Sequence, residues 1–124
     1  MYLLDTHTIL WYLENNPQLS ASAKKAIETQ FCFVHIVSFW EIAIKVSIGK
    51  LAINYSIDDM INQLQNEQIE ILPISQKAVE LVQYLPQHHR DPFDRMLMAE
   101  ASIQNLVLIS IDPQLDPYSI SRLW

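Results

Sequence analysis

The stretch Phe31-Cys32-Phe33-Val34-His35-Ile36-Val37, followed without a break by Ser38-Phe39-Trp40-Glu41-Ile42-Ala43-Ile44-Lys45-Val46-Ser47-Ile48-Gly49, decides the fold class. Its first seven residues are rich in aromatic and β-branched side chains, the composition of a buried strand. Ser38 then opens a helix that runs to about Ile48, and Gly49 stands where a helix C-cap needs a residue at ease in the left-handed region. A short apolar strand feeding an amphipathic helix is the unit from which α/β folds with parallel sheets are assembled.

The same alternation extends in both directions. Toward the N-terminus, Tyr2–Leu4 reads as a first strand, and a helix follows from about Thr6 to Leu13. Asn15-Asn16-Pro17 breaks that helix, and Ser20 caps a second one reaching about Gln30. Toward the C-terminus, Asp58–Gln65 is helical, Glu70–Leu72 is a third strand, and Ser75–Tyr84 is a helix that stops before Pro86. Asp91-Pro92 starts a helix to about Gln104, with Asn105 as its stop. Leu106–Ile109 is a fourth strand, and Ser119–Trp124 is a candidate short edge strand. The expected architecture is one α/β domain over residues 1–124 with a central, mostly parallel sheet.

Composition narrows the function. Of the 124 residues 50% are hydrophobic, enough for one core and too apolar for disorder. Gly49 is the only glycine, which excludes Gly-rich phosphate loops and dinucleotide fingerprints. Cys32 is the only cysteine, so a disulfide within the chain and a Cys-rich zinc site are both excluded. It reads as a reduced core residue in a reducing compartment. Met1-Tyr2-Leu3-Leu4-Asp5 lacks the basic region of a signal peptide, and no apolar run approaches the ~20 residues that span a bilayer. The expectation is a cytoplasmic protein without membrane contact. The net charge of −6 argues against broad nonspecific binding to nucleic acid. Four of the 14 acids set against two divalent ions would leave ten facing eight bases, so the charge does not argue against a metal-centred site.

Four acids occupy the positions where such a site forms. Asp5 follows the first strand and Asp112 follows the fourth. Glu41 sits in the first turn of the helix after the second strand, and Asp94 in the first turn of the helix before the fourth. In an open parallel sheet the C-terminal strand ends share one edge, where ligands bind. That brings Asp5, Glu41 and Asp112 together, while Asp94 must arrive from a neighbouring helix. Each acid also has a purely structural reading. Asp5 before Thr6 is a candidate N-cap, and Asp112-Pro113 has the pattern of a helix or turn start. Ser38-Phe39-Trp40-Glu41 matches a capping box, and Asp91-Pro92-Phe93-Asp94 supplies a cap, a proline at N1 and an acid that favours the helix dipole. Capping and metal ligation are compatible, because a carboxylate has two oxygens.

These segments carry a resemblance. Leu4-Asp5-Thr6-His7 resembles the opening of the VapC-type PIN-domain toxins of bacterial toxin–antitoxin pairs. Ser38-Phe39-Trp40-Glu41-Ile42-Ala43-Ile44-Lys45, continued by Gly49-Lys50-Leu51, is similar to their Ser-x-Trp-Glu-Ile-Ala-x-Lys helix. His88-His89-Arg90-Asp91-Pro92-Phe93-Asp94-Arg95 resembles their His-Arg-Asp-Pro-Phe-Asp-Arg segment, and Ser110-Ile111-Asp112-Pro113 their Thr-x-Asp-Pro, with Ser for Thr. The blocks follow family order over nearly the whole chain. The resemblance implies a three-layer α/β/α PIN-like fold and metal-dependent endoribonuclease activity. It implies Asp5, Glu41, Asp94 and Asp112 as the acidic positions. It also implies a cognate antitoxin, whose C-terminal segment lies across the toxin groove, and homodimerisation.

The chemistry agrees with the residue types. Phosphodiester hydrolysis at neutral pH needs a hydroxide and stabilisation of charge on the phosphate and leaving oxygen, and one or two Mg²⁺ or Mn²⁺ ions provide both. Such hard cations take oxygen ligands. Asp5 and Asp94 are the first choice for a shared metal, with Glu41 ligating directly or through water. Asp112 either holds a second ion or orients the attacking water. Candidate RNA contacts are Ser110, Arg95, Lys45 and His7, though Lys45 is four residues from Glu41 and equally suits a surface ion pair. Asp91 reads as a cap only. His88 and His89 are adjacent loop residues, a poor pair for a shared zinc, and Trp11 and Trp40 read as core. Two rivals stand beside the nuclease. A phospho-receiver domain needs an acid pair after the first strand and a lysine after the last core strand, and neither is present. A catalytically inactive PIN-like module that binds RNA or a partner protein is the other.

Overall fold

A computed structural model describes residues 1–124 as five strands and six α-helices. The strands are β1 (Tyr2–Leu4), β2 (Cys32–His35), β3 (Glu70–Leu72), β4 (Val107–Ile109) and β5 (Arg122–Leu123). The helices are α1 (Thr6–Leu13), α2 (Ala21–Thr29), α3 (Ile36–Ser47), α4 (Ile57–Asn66), α5 (Gln76–Tyr84) and α6 (Pro92–Gln104), with a short 3₁₀ turn at Pro113–Leu115. The sheet order is β3-β2-β1-β4-β5, and every pairing is parallel. The expected mostly parallel sheet is therefore wholly parallel, and the expected edge strand is its fifth member.

Alternation along the strands sorts side chains into two apolar layers. Leu4, Val34 and Ile109 point into a core shared with Ile9 and Leu10 of α1, Ala23, Ala26 and Ile27 of α2, and Met60 and Leu64 of α4. Leu3 and Leu108 point the other way, against Leu97, Met98 and Ala101 of α6. Helix α3 contributes to both sides, with Phe39 and Ile42 in the first core and Val37 in the second. The result is three layers, helices–sheet–helices. Cys32 is buried and free, and burial pushes its thiol up to about 11, so it is held as the unreactive thiol. No helix is long and apolar enough to cross a membrane.

The strand-to-helix junction departs from the sequence reading. β2 ends at His35 and α3 begins at Ile36, two residues before Ser38. The N-cap is His35, whose Nδ1 accepts from the Val37 amide at 3.1 Å. An imidazole acting as cap is invisible to rules built on Ser, Thr, Asp and Asn. The capping box expected at Ser38 and Glu41 is not formed; Ser38 is buried with its hydroxyl unpartnered, and Glu41 lies one turn deeper in the helix. At the other end Gly49 does adopt φ +73°, after the Ile48 C-cap. Neither tryptophan is core in the sense expected: Trp40 is 59% exposed, edge-on to Phe93, and Trp11 is half-buried.

Candidate active site

From β1 the chain steps outward through β2 to β3, then jumps to β4 on the other flank of β1. The strand order therefore reverses between β1 and β4, the place where open parallel sheets leave a crevice. Asp5 leaves β1 and Asp112 follows β4 at this point. The two strand ends are tied together, since the Asp5 amide donates to the Ile109 carbonyl at 3.1 Å and the Thr8 hydroxyl donates to the same oxygen at 3.0 Å.

A cleft of about 400 Å³ opens there, and Asp5, Glu41, Asp94 and Asp112 all line it. Asp91, Thr6, His7 and Lys45 share the lining. The four acids come from four separate segments. Asp5 is nearly fully buried and does cap α1, with one carboxylate oxygen accepting from the Thr8 amide at 2.8 Å. Burial pushes its carboxyl above the ordinary range, against the opposing hydrogen bonds of Ser110 and Thr8. Glu41 is equally buried and held by two donors, the Thr6 hydroxyl and the Lys45 ammonium, each at 2.6 Å. Asp94 is pushed up to about 7, first by burial and then by the negative charges of Asp91 and Asp5, with Glu41 adding to them and His89 opposing. Asp112 caps the 3₁₀ turn through Oδ1, which accepts from Gln114 at 2.9 Å.

Five carboxylates thus face one lysine in a single cleft. The raised Asp94 carboxyl is the mark of a cluster short of positive charge, and the donors are almost all hard oxygens. That set fits a divalent cation of the Mg²⁺ or Mn²⁺ type.

The sequence reading passed over His89. Its Nδ1 accepts from the Asp91 amide at 3.1 Å, which leaves the proton of the neutral ring on Nε2. That nitrogen lies 2.9 Å from Asp112 Oδ2 and 3.1 Å from Asp94 Oδ2. The same nitrogen could join Asp94 and Asp112 in holding a metal ion only by giving up that proton, though the three groups lie close enough together. His88 turns away and packs edge-on against Tyr118, so the adjacent histidines serve separate ends. Only the His-x-Asp spacing to the α6 cap hinted at this, and it is a weak signal.

Two RNA-contact candidates are drawn inward instead. Arg95 is 6% exposed, and its guanidinium donates to the carbonyls of Pro86, Val82, Leu85 and His89 at 2.8–3.3 Å. A basic residue in the first turn of a helix reads as solvated, but these carbonyls belong to the last turn of α5 (Val82) and the irregular turn that follows it (Leu85, Pro86 and His89), and the fork serves all four. The expectation that Arg95 meets phosphate is corrected to a structural role. Ser110 is fully buried and accepts from the Asp112 amide at 3.1 Å; it orders the acids rather than reaching outward. Lys45 forms the ion pair with Glu41, and His7 is exposed at the mouth.

The family model for the PIN domain matches residues 2–119. No curated protein matches the chain significantly by sequence. Among solved structures, the chain is similar to one from the VapBC2 complex of Rickettsia felis bound to a DNA fragment from its promoter. The TM-score is 0.70 at 13% identity, over 98% of this chain and 96% of that one. It is similar to a chain of a toxin–antitoxin complex from Klebsiella pneumoniae, with TM-score 0.66 and 19% identity over 100% and 97% of the two chains. A chain of DNA-bound VapBC from Salmonella typhimurium gives 0.68 and 13% over 98% and 96%. At these identities the structural likeness speaks for the fold, and it agrees with a family match that leaves out only Met1 and the last five residues: the chain belongs to the PIN domain family.

Proposed function

We propose that this PIN domain is a metal-dependent endoribonuclease, the toxin of a toxin–antitoxin pair, hydrolysing RNA phosphodiester bonds with a carboxylate-held Mg²⁺ for which Mn²⁺ can substitute. The observation that carries the reading is the meeting of Asp5, Glu41, Asp94 and Asp112 in one cleft at the reversal of strand order. Asp5 and Asp94 are the residues to hold the metal, Glu41 ligates directly or through water, and Asp112 holds a second ion or orients water. When bound, the cation supplies hydroxide at neutral pH and stabilises the developing charge on phosphate and leaving oxygen. Thr6 and Lys45 fix the Glu41 carboxylate against the repulsion of its neighbours. Ser110 holds the Asp112 backbone beside Asp5.

The likeness to a chain of the Klebsiella toxin–antitoxin complex supports a cognate antitoxin. A homodimer and a cytoplasmic location belong to the same reading. A catalytically inactive module is the rival, and the presence of all four acids in the cleft favours the enzyme. The test is RNA cleavage by purified, antitoxin-free protein. Cleavage with Mg²⁺ or Mn²⁺ that stops with EDTA is expected. Cleavage that persists under rigorous chelation sinks the metal mechanism, and metal binding without cleavage hands the case to the rival. Expression that proves harmless, with no small protein encoded nearby that binds, removes the toxin role while leaving the nuclease intact.

A further inference from the structure

A second cleft, of about 360 Å³, opens beside the carboxylates and shares Thr6, His7 and Lys45 with them. Its character is opposite. Where the first cleft collects five acids, this one brings Lys45 and Lys50 together in a chain whose net charge is −6. The turn after α3 puts them there: Gly49 takes φ +73°, and the amides of Lys50 and Leu51 donate back to the Lys45 carbonyl at 2.8 and 3.1 Å. Lys50 is exposed and forms no ion pair, whereas Lys45 is already engaged by Glu41. The cleft's one acid, Glu14, accepts from the Tyr55 hydroxyl at 3.0 Å.

The aromatic wall comes from α1. His7 and Trp11 are one turn apart on the same face, with ring centroids 5.7 Å apart and planes at 41°. Trp124 backs Trp11 from beyond, again at 5.7 Å. Leu10 and Ile42 at the floor are almost fully buried, so the apolar surface on offer is little more than the Trp11 ring and Leu51. Such a surface suits one planar base better than the long apolar stripe of a docked helix. Aromatic rings beside lysines form the usual combination for single-stranded nucleic acid: bases stack, and ammonium groups meet phosphate.

We propose that this cleft seats a nucleotide of single-stranded RNA flanking the scissile bond, its base against Trp11 and His7 and its phosphate on Lys50. The proposal rests on the nuclease reading and names the substrate contacts of the same site. An RNA strand lying over the carboxylates and continuing along this edge passes Lys45 and enters the second cleft. The cleft thereby supplies the positive charge and stacking surface that the acidic one lacks.

The test uses a fluorescein-labelled single-stranded RNA with a randomised centre, bound by fluorescence anisotropy in an Asp5→Asn background and cleaved by the otherwise wild-type chain. Lys50→Glu is expected to weaken binding about tenfold and to raise KM rather than lower kcat. Lys50→Ala should reduce the slope of log affinity against log salt by about 0.7, the share of one phosphate contact on a single strand. Trp11→Leu should cost about fivefold or more in affinity and erase a base preference next to the cut in sequenced cleavage ends. Lys50 is exposed, so its variants should keep the parent melting temperature and report binding even if Trp11→Leu unfolds. Unchanged affinity, salt slope and KM in the Lys50 variants overturn the proposal, even where Asp5→Asn abolishes cleavage and the nuclease stands. Binding that Lys50→Glu weakens, in a wild-type chain that never cleaves, removes the nuclease and overturns the proposal as a substrate contact, leaving the cleft an RNA-binding surface only. Variants that lose only suppression by a neighbour-encoded protein assign the cleft to that protein, and a chain that binds no RNA overturns both readings.

Discussion

His89 Nε2 lies 2.9 Å from Asp112 Oδ2, with Asp94 Oδ2 3.1 Å from the same nitrogen. One imidazole therefore links the carboxylate that follows β4 to the one at the head of α6. Its far nitrogen is fixed by the Asp91 amide, so the ring donates its one Nε2–H to Asp112 and brings that bond up against Asp94. Removing an orienting partner of this kind costs about 10–100-fold in metal affinity or activity. His89→Ala is expected to lose that much in both cleavage rate and Mn²⁺ affinity measured by calorimetry. His89→Gln, whose amide N–H can replace the Nε2 donor, should recover part of it. Equal behaviour of the two variants shows that ring packing, not donation, is what matters.

Asp5 combines a cap with a candidate ligand, and Asp5→Asn separates the two. Asn caps a helix about as well as Asp, so the bond to the Thr8 amide at 2.8 Å can survive. The charge does not survive, and with it goes one source of the repulsion acting on Asp94. Cleavage should collapse while the metal-free melting temperature stays equal or rises. Near-normal cleavage overturns the assignment of Asp5, and a large loss of metal-free stability shows a structural role for its charge.

The acid cluster also sets a pH dependence. The Asp94 carboxyl is pushed up to about 7 in the folded protein, against about 4 in an unfolded chain. Between those values the native state binds the extra proton, so this group's contribution to stability falls as pH rises through that window and is level above it. Asp5, also raised, acts in the same direction. Without metal, Asp94→Asn should therefore gain stability over the parent at about pH 8 and little at about pH 5. Mg²⁺ should raise the parent's melting temperature more at the higher pH, where the carboxylates are charged. A difference between parent and variant that does not change with pH sinks this account.

Arg95 is expected to behave as a core residue. Its guanidinium serves four carbonyls from 6% exposure. Truncation strips the part-buried carbonyls of Val82, Leu85 and His89 of their donor and leaves Pro86 to Tyr118 alone, a loss of about 3 kcal/mol. Arg95→Ala should thus lower the melting temperature on the order of 10 °C. Arg95→Lys should rescue little, because one ammonium cannot reproduce the planar fork. A variant that melts normally but binds RNA weakly restores the phosphate-contact reading.

The sequence by itself determined the α/β alternation, the strand centres, the caps at Ser20 and Asp91, and the glycine stop at Gly49, because those features depend on local chemistry and on periodicities of two and 3.6. It also singled out four acids at strand ends and helix starts. Strand order it left open, for pairing is set between segments far apart in the chain; only the fold put β1 between β2 and β4 and so brought Asp5 and Asp112 to one crevice. Burial and partners were likewise decided there. Arg95 was turned inward to the carbonyls of Pro86 and Val82, nine and thirteen residues away, and His89 reached Asp112 across 23 positions. His35 took the cap from Ser38 because the strand entered the helix two residues early. Short-range patterns carry no information about such meetings, since a side chain's role in them depends on what the rest of the chain places within about 3 Å of it.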